Sequence, residues 1–94
     1  MIRSYRDGNT AALSDGERVG RWEAFQHQAE KRLRILGAAT SLGDLAALGS
    51  NRLEALKGNR KGQYSIRINQ QWRICFEWPK DARGPSNVEI VDYH

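Results

Sequence analysis

The apolar residues of this chain change their period partway along it. Trp22, Phe25, Ala29, Leu33 and Leu36 recur at spacings of three and four, which places them on one face of a helix. Glu23, Gln26, Glu30, Lys31 and Arg34 make the polar face, and Gly37 begins the helix's end. From Tyr64 the period falls to two. Tyr64, Ile66 and Ile68 alternate with Ser65, Arg67 and Asn69, and Trp72, Ile74, Phe76 and Trp78 alternate with Arg73, Cys75 and Glu77. Each run reads as a strand with one apolar and one polar face. The short Asn69-Gln70-Gln71 link makes the pair a hairpin. Helical spacing first and strand spacing later predicts an α+β fold, a small antiparallel sheet with helices packed on one face.

The remaining elements fit around that frame. Ile2 to Tyr5 reads as a short edge strand, broken by Asp7-Gly8-Asn9. Asn9 or Thr10 is placed to cap a short helix through Ala11-Ala12-Leu13. Ser41-Leu42-Gly43-Asp44-Leu45 predicts another helical turn, and Arg52 to Lys57 a strand closed by Gly58-Asn59. Pro79 halts the second hairpin strand, and Lys80 to Asn87 forms a loop leading to a last strand through Val88-Glu89-Ile90-Val91. The 94 residues make a single domain, 1–94, small but large enough for one core.

Several classes are disfavoured. Cys75 is the only cysteine, so no internal disulfide forms, and its place in an apolar strand reads as an inert core residue of a cytosolic protein. No apolar run approaches the ~20 residues of a membrane span, and Met1 to Arg6 lacks the apolar core of a signal peptide. The expectation is a cytoplasmic protein that meets no membrane. Lys and Arg outnumber Asp and Glu by 15 to 11, a net charge of +4, which favours a polyanionic partner such as nucleic acid.

The chemistry concentrates in three places. If Ile66, Ile68, Ile74 and Phe76 cover the helices, Arg67 and Arg73 project from the opposite face. An open cationic sheet face suits a phosphodiester backbone, since guanidinium binds phosphate through two parallel hydrogen bonds. Lys57, Arg60 and Lys61 follow closely in Lys57-Gly58-Asn59-Arg60-Lys61-Gly62, with glycines that let the backbone turn or approach a ligand. A solvated, charge-rich turn is the competing reading of that segment. The last strand runs into Asp92-Tyr93-His94, a carboxylate, a phenol and an imidazole able to accept, donate and shuttle protons. By alternation Asp92 and His94 share one side of the strand and Tyr93 takes the other, unless the strand end twists or frays. Two histidines, His27 and His94, and one cysteine spell out no zinc site. No acidic pair shows metal spacing and no glycine-rich motif cradles phosphate. A nuclease built from these residues is expected to use no metal or other cofactor.

These segments together resemble a known family. Arg52-Leu53-Glu54-Ala55-Leu56-Lys57-Gly58-Asn59-Arg60-Lys61-Gly62, Ile66-Arg67-Ile68-Asn69, Gln71-Trp72-Arg73-Ile74 and Asp92-Tyr93-His94 closely resemble HigB-type toxins of the RelE/ParE toxin–antitoxin superfamily. Met1-Ile2-Arg3-Ser4-Tyr5 and Ala38-Ala39-Thr40 also look like that family. The resemblance implies helices on an antiparallel sheet and an mRNA endonuclease acting on translating ribosomes. It implies a cognate HigA-type helix-turn-helix antitoxin, and operator DNA bound only through the toxin–antitoxin complex. It matches Lys57 and Arg73 to residues that hold the scissile phosphate; Arg60, Lys61 and Arg67 are read from their place on the turn and the open sheet face as further substrate contacts. Asp92, Tyr93 and His94 match the functional terminus. Some members carry His where this chain has Glu54, which either accepts a proton in its place or pairs with a basic neighbour. Other relatives in the superfamily bind gyrase and cut no RNA, so a non-enzymatic inhibitor of a host protein is the alternative.

Overall fold

The computed structural model describes residues 1–92. The first helix, α1, spans Gly8–Ser14. Its cap is Asp7, whose carboxylate accepts from the Thr10 N–H at 3.2 Å, rather than Asn9 or Thr10 as the sequence predicts. Thr10 has another task. It is wholly buried, and its hydroxyl oxygen accepts from the Ile90 N–H at 3.2 Å.

The long apolar stripe is carried by two helical pieces. A 3-10 turn covers Gly20–Phe25 and α2 covers Gln26–Ala38. Trp22, Phe25, Ala29, Leu33 and Leu36 are all buried, as their spacing predicts. The break comes from packing. Phe25 stacks on Trp72 with ring centroids 5.1 Å apart, and Trp22 meets the same ring edge-on at 6.5 Å. A tighter turn brings both rings onto one partner. The Gln26 side chain joins the turn to the preceding loop, accepting from the Val19 N–H and donating to the Glu17 carbonyl. A short helix, α3, follows at Leu42–Ala47. Ser41 caps it by accepting from the Asp44 N–H, while Asp44 accepts from the backbone and hydroxyl of Thr40. Those bonds hold the Asp44 carboxyl below its ordinary pKa.

Four antiparallel strands follow among the described residues, in the order β1-β2-β3-β4: β1 Glu54–Ala55, β2 Gln63–Arg67, β3 Trp72–Glu77 and β4 Ser86–Asp92. The strand expected from Arg52 to Lys57 is only two residues long. Arg52 takes a left-handed conformation (φ 49°) and a 3-10 turn begins at Gly58, so pairing is cut at both ends. Between the helices and the sheet lies the core, with Leu13, Trp22, Phe25, Leu33 and Leu36 facing Ile66, Ile68, Ile74, Phe76, Val88 and Ile90.

The outer edge of β4 is closed by the N-terminal segment. Tyr5 forms a parallel bridge with Val88 in place of a full edge strand. The Val88 N–H donates to the Ser4 carbonyl, and the Arg6 N–H donates to the Val88 carbonyl. With Thr10 taking the Ile90 N–H, the outward amides of Val88 and Ile90 are both satisfied, which blunts the edge. Thr10→Val keeps the shape but strips the acceptor from a buried N–H, and the expected loss is about 1–3 kcal/mol of stability. Urea unfolding of the variant beside the parent measures it.

Candidate nucleic-acid interface

The helices cover one face of the sheet, and the other carries its charge. Register places Glu54 opposite Ser65, Ser65 opposite Cys75 and Cys75 opposite Glu89, so these four form one row across that open face. The adjacent row is Arg67, Arg73 and Val91.

Arg67 and Arg73 are direct cross-strand partners on the expected face. Like charges so placed repel, and the structure leads the two guanidinium groups apart. Arg67 Nε donates to the Asn69 carbonyl at 3.1 Å, toward the hairpin turn. Arg73 swings the other way. Its Nε donates to Ser65 Oγ at 2.7 Å and its Nη2 to the Arg52 carbonyl at 2.7 Å. Glu54, half exposed, stands 3.9 Å from Arg73 Nη2. The carboxylate therefore has the basic neighbour that the sequence reading allowed it.

Lys57 precedes the Gly58–Arg60 turn and is exposed, as is Lys61 after it. Gly58 and Gly62 have φ of 62° and 92°, conformations that glycine adopts without strain. The lysine side chains make no hydrogen bond or ion pair among the described residues. Arg60 behaves differently. It donates to Gln63 Oε1 at 3.0 Å and lies 3.6 Å from Glu89. Glu89 also takes Arg6 Nε at 2.7 Å, and Arg6 reaches Glu77 at 3.7 Å. Arg60 is thus partly neutralised inside a network that also ties the N-terminal segment to the sheet.

Asp92 has the strand parity of Val88 and Ile90 and lies opposite Trp72. It accepts from Gln71 Nε2 at 3.0 Å, beside the hairpin turn. By register it belongs to the other side of the sheet from Arg73. Tyr93 and His94 lie outside the described residues.

Sequence reasoning missed Ser65, Arg6, Glu77 and Glu89. For Ser65, Glu77 and Glu89 the signal was their position on the polar side of the strand alternation, Arg6 carried none, and the partners of all four emerge only from the fold. Cys75 is fully buried as expected, yet it lies on the open face, among Arg60, Glu89, Arg73 and Arg6. Burial pushes its thiol above the ordinary pKa of 9.0, against the pull of the arginines.

The HigB-like toxin family, described as the RelE-like toxin of type II toxin–antitoxin system HigB, matches residues 5–94, and the chain belongs to that family. It is 48% identical over 48 residues to Toxin HigB-1 of Vibrio cholerae serotype O1, across 51% of this chain and 50% of that protein. It is 36% identical over 63 residues to Endoribonuclease HigB of Proteus vulgaris, across 67% of this chain and 65% of that protein. The chain thus spans between half and two thirds of the length of these relatives.

The buried thiol yields two expectations. Iodoacetamide should leave Cys75 unmodified at neutral pH in the folded chain and alkylate it once unfolded. Because the fold favours the protonated thiol, its contribution to stability holds below the ordinary pKa of 9.0 and is lost as pH rises from there toward the raised value. Stability curves of the parent and Cys75→Ala should therefore converge above about pH 9; parallel curves would contradict the raised pKa.

Proposed function

We propose that this chain is a toxin that cuts mRNA on the translating ribosome without a metal ion and is restrained by a HigA-type helix-turn-helix antitoxin. The observation that carries the reading is the open cationic sheet face, with Arg73 fixed at its centre and Lys57 on the adjoining turn, in a chain of the HigB-like family. A relative that bears the name Endoribonuclease HigB supports the activity. The toxin works in the cytoplasm, where it meets ribosomes, and among the described residues no helix is long and apolar enough to cross a membrane. Operator DNA is met only through the complex with the antitoxin.

RNA cleavage of this kind needs a base for the 2′-hydroxyl, cations for the crowded phosphate and an acid for the leaving oxygen. Lys57 and Arg73 take the phosphate. Lys61 and Arg67 meet flanking phosphates, and Arg60 contributes less because Glu89 offsets its charge. His94 does the proton work near neutral pH, with Asp92 and Tyr93 orienting it or the RNA. Glu54 remains a second candidate base, but its place beside Arg73 favours the ion pair.

The test is primer extension on mRNA translated by purified ribosomes. Lys57→Ala and Arg73→Ala should each cut about 10²–10³-fold more slowly. Lys57→Ala should melt with the parent, because its side chain is exposed. Arg73→Ala uncovers Ser65 and should melt lower, so it is assayed where it is still folded. His94→Ala should abolish cleavage with little change in stability. The upstream fragment should end in a 2′,3′-cyclic phosphate. A 3′-hydroxyl end, or a divalent ion required for the chemical step itself, would overturn the mechanism. Growth arrest without any cut, together with inhibited gyrase, would replace the nuclease with a protein-binding inhibitor.

A further inference from the structure

Ser65 is wholly buried yet lies on the open face of the sheet. A buried hydroxyl is costly unless bonded, and an apolar β-branched residue would suit a strand position better. The hydroxyl's partner is Arg73. Ser65 Oγ accepts from Nε at 2.7 Å, and the Ser65 carbonyl lies 3.4 Å from Nη2. The Arg52 carbonyl, carried by a left-handed residue, accepts from the same Nη2 at 2.7 Å. These two short bonds engage two different nitrogens, so together they set both the direction and the plane of the guanidinium.

The two short bonds go to uncharged acceptors, while the Glu54 carboxylate stands farther off, 3.9 Å from Nη2. Arg6 and Arg60 end on Glu89, whose carboxylate opposes their charge. A hydroxyl and a carbonyl orient a cation without offsetting it. A phosphate gaining charge in a transition state is best stabilised by a cation already in place, since reorientation then costs nothing at the moment of reaction.

We infer that Ser65 is a positioning residue for RNA cleavage, its hydroxyl holding the Arg73 guanidinium in the plane that meets the scissile phosphate. The inference rests on the reading of Arg73 as a phosphate contact.

Five variants of the full chain test it: Ser65→Ala, Ser65→Thr, Ser65→Val, Arg73→Ala, and Ser65→Ala combined with Arg73→Ala. Thr and Val share a shape and differ in the hydroxyl, so their comparison isolates the bond to Nε. Cleavage of ribosome-bound mRNA is followed under single-turnover conditions, with melting curves alongside. Ser65→Ala and Ser65→Val should lower the maximal rate up to about 100-fold, with half-saturation little changed. Ser65→Thr should restore most of it. Ser65→Ala should add no further loss to Arg73→Ala, because it acts through that side chain. If Arg73→Ala is impaired while folded Ser65→Val cuts as fast as Ser65→Thr, the positioning role is overturned. An equal slowing by Ser65→Ala in both backgrounds would overturn it too. Should Val and Thr both fail to fold, the Ser65→Ala and Arg73→Ala cycle decides alone. Parental cleavage by Arg73→Ala would instead defeat the reading of Arg73 itself.

Discussion

A single side chain sets the frame of the sheet. Asn69 Oδ1 accepts from the Gln71 and Trp72 N–H groups, each at 2.8 Å, while the Trp72 carbonyl accepts from Ile68 and Asn69. The turn between β2 and β3 is thereby closed and their register fixed. With that register Ile66 faces Ile74, Ser65 faces Cys75 and Arg67 faces Arg73. A slip of one residue would carry each side chain of a strand to the other face. Arginines would enter the core and isoleucines would meet solvent. The core and the charged face therefore depend on the same pair of hydrogen bonds, and neither can be shifted without the other.

The arginines of the open face divide by what holds them. Arg6 and Arg60 converge on Glu89, and Arg6 also reaches Glu77, which in turn accepts from Asn87. That network spans the N-terminal segment, the turn after β1, and both β3 and β4. It behaves as a structural clasp. Arg67 and Arg73 lean on carbonyls and a hydroxyl. Cations massed on one face repel, and the interleaved carboxylates relieve part of that cost where Arg6 and Arg60 sit. Glu54, 3.9 Å from Arg73, does the same there at longer range.

Much of the fold was legible because it follows from period. The stripe from Trp22 to Leu36 and the alternation from Tyr64 to Trp78 each encode which side is buried, whatever the backbone does in detail. The family could be read from the order of motifs, and the matched family bears that out. Details set by tertiary contact were not legible. The stripe breaks at Phe25 because two rings share Trp72, and Thr10 gives up the cap because its hydroxyl meets Ile90. At the candidate site, the shared face of Arg67 and Arg73 followed from alternation alone. The pairing of Arg60 with Glu89 joins residues far apart in sequence, and only the register of β2, β3 and β4 brings them together.

The same topology explains why the cationic face stays open. The helices pack on the opposite side, and the N-terminal segment runs along the outer edge of β4 rather than over its face. At the other edge β1 is only two residues long, so the turn that follows it leaves the sheet early and carries Lys57 and Lys61 beside that face. A longer β1 would have fixed those lysines in the strand's own alternation. A short strand and a left-handed Arg52 therefore do two things at once. They leave an exposed pair of cations at the rim, and they turn a backbone carbonyl inward to hold another at the centre. On the proposed reading that division would suit a long polyanion, with exposed charges to gather it and a held charge to meet one phosphate.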